Sequence, residues 1–133
     1  MGNGKRQREC VVPKILIVDD DPDIVEACRL VLEREGYEVE GAPNRAAGTK
    51  KLEEVKPDLL ILDVMMEEPD DGLRMAREIR RAGHTLPIIM LTSVNAAMGL
   101  NIDKDEEMVP VEEFQPKPVD PQTLIAKVKK LLP

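Results

Sequence analysis

The chain has 133 residues, a formal net charge of −7, and 34% charged residues. This length suits a single domain that buries about two thirds of its unfolded surface on folding. The acidic balance argues against a nucleic-acid partner, because contact with a phosphate backbone rests on clustered Lys and Arg side chains.

The beginning of the chain predicts a tail, a strand and a helix. Residues 1–13 contain Gly, Asn and charged residues, which is typical of a flexible tail, so we expect the domain to span residues 14–133. The apolar stretch Lys14–Val18 predicts a strand buried on both faces, as in parallel sheets covered by helices. Asp21 can cap the helix that follows, and Gly36 can end it.

The middle of the chain repeats this alternation. Residues 37–41 predict a short strand, and residues 44–55 predict a helix whose first residue, an Asn, can cap it. The apolar run from Leu59 to Leu62 ends on Asp63 and predicts the third strand, Leu59–Asp63. A helix with an apolar face follows Asp71-Gly72 and stops at Gly83.

The last third of the chain predicts two more strands and a final helix. Residues 87–91 predict the fourth strand, a weak fifth strand lies within 109–115, and Asp120 can cap the last helix. Gly99 and Asn101 weaken helix propensity, and residues 103–107 offer few side chains to bury, so we expect a short or partly disordered fourth helix within 95–113. This (βα)5 alternation predicts a three-layer, doubly wound α/β domain with a parallel sheet and right-handed crossovers.

Cysteine content and hydropathy indicate the compartment. Cys10 and Cys28 do not have a metal-type spacing, and two isolated cysteines give little reason to expect disulfides, so we expect thiols in a reducing compartment. No apolar run approaches the roughly 20 residues of a membrane span, and the polar first nine residues lack the apolar core of a signal peptide. We therefore expect a cytoplasmic protein without membrane insertion.

Polar side chains stand where four of the five predicted strands end; only the second strand ends without one. They are Asp19 and Asp20, Asp63, Thr92, and Lys117. The carboxyl ends of parallel strands share one edge of the sheet, so these groups should converge there. Converging carboxylates suit a hard divalent cation, for which Mg²⁺ is the natural candidate. The set predicts phosphoryl chemistry, with Asp63 as a nucleophile that forms an aspartyl phosphate.

From about residue 14 to residue 132, the chain resembles the receiver domain of bacterial two-component response regulators. The resemblance rests on four motifs in this order: Val18-Asp19-Asp20-Asp21, Leu62-Asp63-Val64-Met65-Met66 with Asp71-Gly72 downstream, Met90-Leu91-Thr92-Ser93, and Lys117-Pro118. It implies a flavodoxin-like sheet, as in chemotaxis regulators, with strand order 2-1-3-4-5.

The resemblance also implies a metal site. Asp63 and Asp20 would be direct Mg²⁺ ligands, Asp19 would act largely through water, and the backbone carbonyl of Met65 would complete the protein ligands. One departure from the family pattern lies nearby, since Glu67 replaces the usual proline in a loop that is one residue longer.

The same resemblance implies a phosphorylation switch. Asp63 would be the phosphoacceptor, Thr92 the hydroxyl that moves toward the phosphoryl group, and Lys117 the ion-pair partner of that group. Phe114 would be the aromatic residue whose rotamer follows Thr92, and the Lys117-Pro118 bond would be cis.

These residues predict a stand-alone receiver, not a metabolic enzyme. It would take a phosphoryl group from a histidine kinase, or exchange one with a histidine phosphotransfer protein, and present an altered surface to a downstream target protein. Homodimer formation on phosphorylation is left open.

Two other functions compete with this one. The altered loop and fourth helix allow a pseudo-receiver, in which the same fold is a phosphorylation-independent binding module. A small phosphatase resembling the haloacid dehalogenase family needs a second Asp two positions after its nucleophile. Met65 stands at that position relative to Asp63, although Asp21 does stand two after Asp19.

Overall fold

A computed structural model of the chain describes residues 12–64, 66, 71–92 and 111–132. The strands of this part form one parallel sheet in the order β2-β1-β3-β4-β5. Their bounds are β1 Lys14–Val18, β2 Glu38–Ala42, β3 Leu59–Asp63, β4 Ile88–Thr92 and β5 Glu113–Pro116. The predicted α/β class and strand order 2-1-3-4-5 are confirmed.

The helices of the described part cover both faces of the sheet. They are α1 Pro22–Arg34, α2 Arg45–Val55, α3 Asp71–Arg81 and α4 Pro121–Leu131. Helices α2 and α3 pack on one apolar face of the strands, and α1 and α4 pack on the other. The result is the predicted three-layer arrangement, with strands β1, β3 and β4 buried in the middle layer.

The predicted helix caps are present. The side chains of Asp21, Asn44 and Asp120 accept hydrogen bonds from backbone N–H groups in the first turns of α1, α2 and α4. Gly36 and Gly83 follow the ends of α1 and α3 with φ angles of 98° and 96°, a conformation that glycine adopts without strain. Local capping signals therefore set most helix ends.

The observed boundaries differ from the predicted ones by about one residue. Strand β4 begins at Ile88 because Pro87 has no N–H to donate, although its carbonyl accepts from Leu60 N at 3.0 Å. Strand β5 continues to Pro116, which pairs with Thr92. Helix α3 already includes Asp71.

Several predictions fall wholly or partly on residues outside the described part. They concern the tail up to residue 11, Cys10, the Met65 carbonyl, and the fourth helix expected within 95–113. Cys28 is a free, buried thiol. Among the helices that are described, none has both the length and the apolar character needed to cross a bilayer, and the cytoplasmic location stays a prediction.

Candidate functional site

Three carboxylates meet at the carboxyl edge of the sheet. Asp19 and Asp20 follow β1, and Asp63 is the last residue of the neighbouring strand β3, so parallel pairing brings them together. One carboxylate oxygen from each lies within 4.8 Å of the others. Asp19 and Asp63 are almost fully buried, at 1% and 3% exposure, whereas Asp20 is exposed. The cluster has a buried floor and one side open to solvent.

Lys117 neutralises part of this charge. Its Nζ lies 3.2 Å from Asp19 Oδ2 and 3.2 Å from Asp63 Oδ1. The peptide bond between Lys117 and Pro118 is cis, as the family resemblance implied. The backbone N–H of Lys117 donates to the Thr92 carbonyl at 2.6 Å, which fixes this residue to the end of β4.

The protonation behaviour of Asp63 and Lys117 follows from this crowding. Burial and, after it, the charge of Asp19 raise the pKa of Asp63 from 3.8 to about 7, against the opposing effect of Lys117. Burial by itself lowers the pKa of Lys117, but the charges of Asp19 and Asp63 outweigh it and raise that pKa above 10.5. A second cation would stabilise the ionised form of Asp63.

The donor set fits a hard divalent cation. Asp19 Oδ1 accepts a hydrogen bond from Asp21 N at 2.9 Å, but the buried Asp19 Oδ2 has no aligned hydrogen bond from the described residues. Its 3.2 Å approach to Lys117 Nζ is an ion pair only. An unsatisfied buried carboxylate oxygen beside two further carboxylates is a set of hard oxygen ligands of the kind that Mg²⁺ binds.

Thr92 and Phe114 lie on neighbouring strands but in different surroundings. Thr92 ends β4 with 3% exposure, next to the strand that carries Asp63. Phe114 is half-buried, pairs with Met90, and packs against the apolar cluster under α2 and α3. The structure brings Thr92 to the same sheet edge as the carboxylates, and the switching roles of both residues stay predictions.

Gly72, which belongs to one of the motifs that carry the family resemblance, holds the end of β3 in place. Its N–H donates to the Val64 carbonyl at 2.9 Å. A Cβ at this position would lie 2.1 Å from the Asp63 carbonyl oxygen and 2.7 Å from Val64 Cα. Only glycine permits this approach, so the start of α3 rests directly on the backbone of Asp63.

A charged side chain also stands shortly beyond β2, the strand predicted to end without a polar group. Arg45 begins α2, three residues after that strand ends. Its Nε lies 3.6 Å from Asp71 Oδ1, and its Nη1 lies 3.4 Å from Glu78 Oε2. The position of Arg45 behind the Asn44 cap can be read from the sequence. Its pairing with Asp71 and Glu78 cannot, because it depends on the packing of α2 beside α3.

The protein-family model for the response regulator receiver domain matches residues 15–129 of the chain. The chain therefore belongs to the response regulator receiver family, a family of signalling proteins and not of metabolic enzymes.

Individual relatives agree with this assignment. The alkaline phosphatase synthesis transcriptional regulatory protein PhoP of Bacillus subtilis (strain 168) is 37% identical over 123 residues, which cover 90% of this chain and 48% of that protein. The DNA-binding dual master transcriptional regulator RpaA of Synechocystis sp. (strain ATCC 27184 / PCC 6803 / Kazusa) is 34% identical, over 91% of this chain and 49% of its own length. The structure of chemotaxis response regulator CheY4 of Vibrio cholerae is similar with a TM-score of 0.78 and 26% identity, over 91% of this chain and 99% of that one.

The relatives correct one prediction. The net charge of the chain led to the prediction that it has no nucleic-acid partner. That prediction is wrong, because the similar RpaA is named as DNA-binding. The chain spans about half the length of the curated relatives it matches, and the charge of one domain does not report on another part of a protein. The stand-alone character stays a prediction.

Proposed function

We propose that the chain accepts a phosphoryl group on Asp63 from a phosphohistidine of a partner kinase or phosphotransfer protein. The observation that carries this proposal is the placement of Lys117 Nζ 3.2 Å from a carboxylate oxygen of both Asp19 and Asp63, within a cluster that fits a divalent cation. A buried carboxylate beside a lysine ammonium, in a cluster that can hold a divalent cation, suits phosphoryl transfer, since that chemistry depends on positioning and charge neutralisation.

The proposed transfer is a single displacement. A carboxylate oxygen of Asp63 attacks the phosphorus, an O–P bond forms as the P–N bond of phosphohistidine breaks, and the electron pair leaves with the imidazole, which takes up a proton. Asp63 reacts as the carboxylate, so the groups that hold it ionised favour the reaction. Lys117 supplies one such charge and then pairs with a phosphoryl oxygen.

Asp20 and Asp63 would hold Mg²⁺ directly, with Asp19 acting through water. Bound there, Mg²⁺ supplies charge neutralisation for the phosphoryl oxygens. The Thr92 hydroxyl, at the end of the adjacent strand, donates a hydrogen bond to another of these oxygens. These roles are proposed for the residues that the family motifs indicate and that the fold brings to one edge.

The phosphoryl group needs an approach from solvent, and the structure has an opening beside the carboxylates. A groove of about 530 Å³ starts at Asp19 and Asp20 and runs between α1 and β2, past Val25 and Gly41. We propose that the donor protein approaches the exposed side of the cluster.

Intact mass after incubation with Mg²⁺ and acetyl phosphate tests the transfer. We expect one added phosphoryl mass on the wild type, none with a chelator, and none on Asp63→Asn. Asp23→Asn is the matched control, because Asp23 is an exposed acid in the first turn of α1. A folded wild-type protein that gains no mass beside a positive-control receiver would contradict the proposal and favour a phosphorylation-independent binding module.

We also propose that the added charge of about −1.5 to −2 alters how the chain contacts a protein partner. The transcriptional regulators among the relatives make control of transcription the output to test first. Amide hydrogen exchange on phosphorylated and unphosphorylated protein should change at the ends of β4 and β5, next to Thr92 and Lys117. An exchange pattern that is the same in both forms would show that the charge is not transmitted.

A further inference from the structure

We propose that Arg45 is a positioning residue for the phosphoacceptor and acts through Asp71 and the start of α3. The proposal rests on the proposed function of Asp63, and it concerns a residue outside the family motifs described above. It is drawn from three contacts, which link α2, α3 and the end of β3.

The first contact leaves no free space between α3 and Asp63. The close approach of Gly72 to the Asp63 carbonyl, with its hydrogen bond to the Val64 carbonyl at 2.9 Å, makes the first turn of α3 and the end of β3 one packed unit. A displacement of this turn moves the backbone that carries the nucleophile. A misplacement of about 1 Å in an active site can cost about 10²-fold in rate.

The second contact concerns the residue before Gly72. Asp71 is only 2% exposed, so its carboxylate is a buried charge that requires compensation. Arg45 Nε lies 3.6 Å from Asp71 Oδ1, and its side chain is itself only one third exposed. The guanidinium thus offsets a charge located at the turn that packs on Asp63.

The third contact fixes the guanidinium. Arg45 Nη1 lies 3.4 Å from Glu78 Oε2, so one side chain spans two turns of α3, from Asp71 to Glu78. The backbone of Arg45 is held as the first residue of α2, behind the Asn44 cap. The planar fork of arginine can contact both carboxylates at once, whereas a lysine ammonium would contact mainly one of them. This arrangement connects the start of α2 to two positions along α3.

The test measures phosphorylation by acetyl phosphate at saturating Mg²⁺, at a temperature where circular dichroism shows every variant folded. We expect Arg45→Met to lower the rate about five- to tenfold with an unchanged Mg²⁺ midpoint, and Arg45→Lys to fall between it and the wild type. Lys129→Met is the matched control, because it removes the ion pair between α4 and Glu35 without touching α3. It should keep the wild-type rate.

A charge rescue separates positioning from a general loss of stability. In the Arg45→Met background, Asp71→Asn removes the buried charge that Arg45 had paired, and the rate should rise at least about twofold above that of Arg45→Met. An Arg45→Met protein that keeps the wild-type rate overturns the proposal. So does a double variant that is no faster than Arg45→Met alone.

Amide exchange gives a measurement that does not depend on phosphorylation. The Gly72 amide, which donates to the Val64 carbonyl, should exchange at least about tenfold faster in Arg45→Met and at the wild-type rate in Lys129→Met. If the wild type is not phosphorylated but Gly72 responds this way, the function of Asp63 fails while the positioning role of Arg45 is supported. An unchanged Gly72 amide in Arg45→Met overturns the positioning role.

Discussion

Replacing Asp63 by Asn should stabilise the metal-free protein at neutral and alkaline pH, even though Asp63 is the proposed nucleophile. The reason is the environment of the carboxylate, which is 3% exposed and lies beside Asp19. Burial, with the neighbouring charge, raises its pKa from 3.8 to about 7. Asparagine has a similar shape and no charge to bury.

The magnitude follows from the pKa difference. A folded-state pKa about three above the unfolded value corresponds to about 4 kcal/mol, at 1.36 kcal/mol for each tenfold change in the acid dissociation constant. This is an upper bound for the gain on replacing Asp63 by Asn, because Lys117 loses an ion-pair partner in the variant. Between pH about 4 and about 7 the folded protein binds more protons at Asp63 than the unfolded chain does, so this group lowers stability as pH rises. We expect Asp63→Asn to be about 1–3 kcal/mol more stable above pH 7, with little difference near pH 4.

Urea unfolding between pH 4 and pH 8 in the presence of a chelator measures this difference. Circular dichroism is the suitable probe because the chain has no Trp and a single Tyr. Glu54→Gln removes one negative charge from an exposed position of α2 and is the matched control, with no pH-dependent gain expected. Adding Mg²⁺ should stabilise the wild type, because binding to the folded state adds free energy, and should have much less effect on Asp63→Asn.

A stability difference that does not change with pH would contradict the raised pKa of Asp63. An Asn variant that is less stable at pH 8 in the absence of metal would contradict the expected gain in stability. The first result would mean that folding does not raise the pKa of Asp63, and the second would mean that the contact with Lys117 outweighs the cost of burying the carboxylate.

Two further predictions concern Gly72 and Cys28. Gly72→Ala should destabilise the fold by at least about 2–3 kcal/mol in urea unfolding, because its Cβ meets the Asp63 carbonyl. Gly36→Ala, at a positive φ but with no atom within 4 Å, should cost only about 1 kcal/mol, and equal losses would contradict the packing argument. Burial raises the pKa of Cys28 to about 11, so in a Cys10→Ala background Cys28 should resist a disulfide reagent at pH 8 until urea unfolds the chain. Rapid labelling of folded protein would show that α1 opens readily.

The predicted fold agreed closely with the structure because its signals are local. Continuous apolar stretches such as residues 59–62 indicate strands buried on both faces, and Asp21 and Asn44 cap helices through contacts two or three residues away. The alternation of these elements then leaves few topologies. Strand ends were less certain, since the pairing partner decides whether Thr92 or Pro116 belongs to a strand.

The sequence by itself determined which residues meet at the carboxyl edge, because parallel strands with polar residues at their ends must bring Asp19, Asp63 and Lys117 together. Only the tertiary structure decided how these groups are held. The close approach of Gly72 to Asp63 and the span of Arg45 from Asp71 to Glu78 join residues that are 9 to 33 positions apart. Such contacts depend on how α2 and α3 pack on the sheet, and no local preference of the chain specifies distances of that kind.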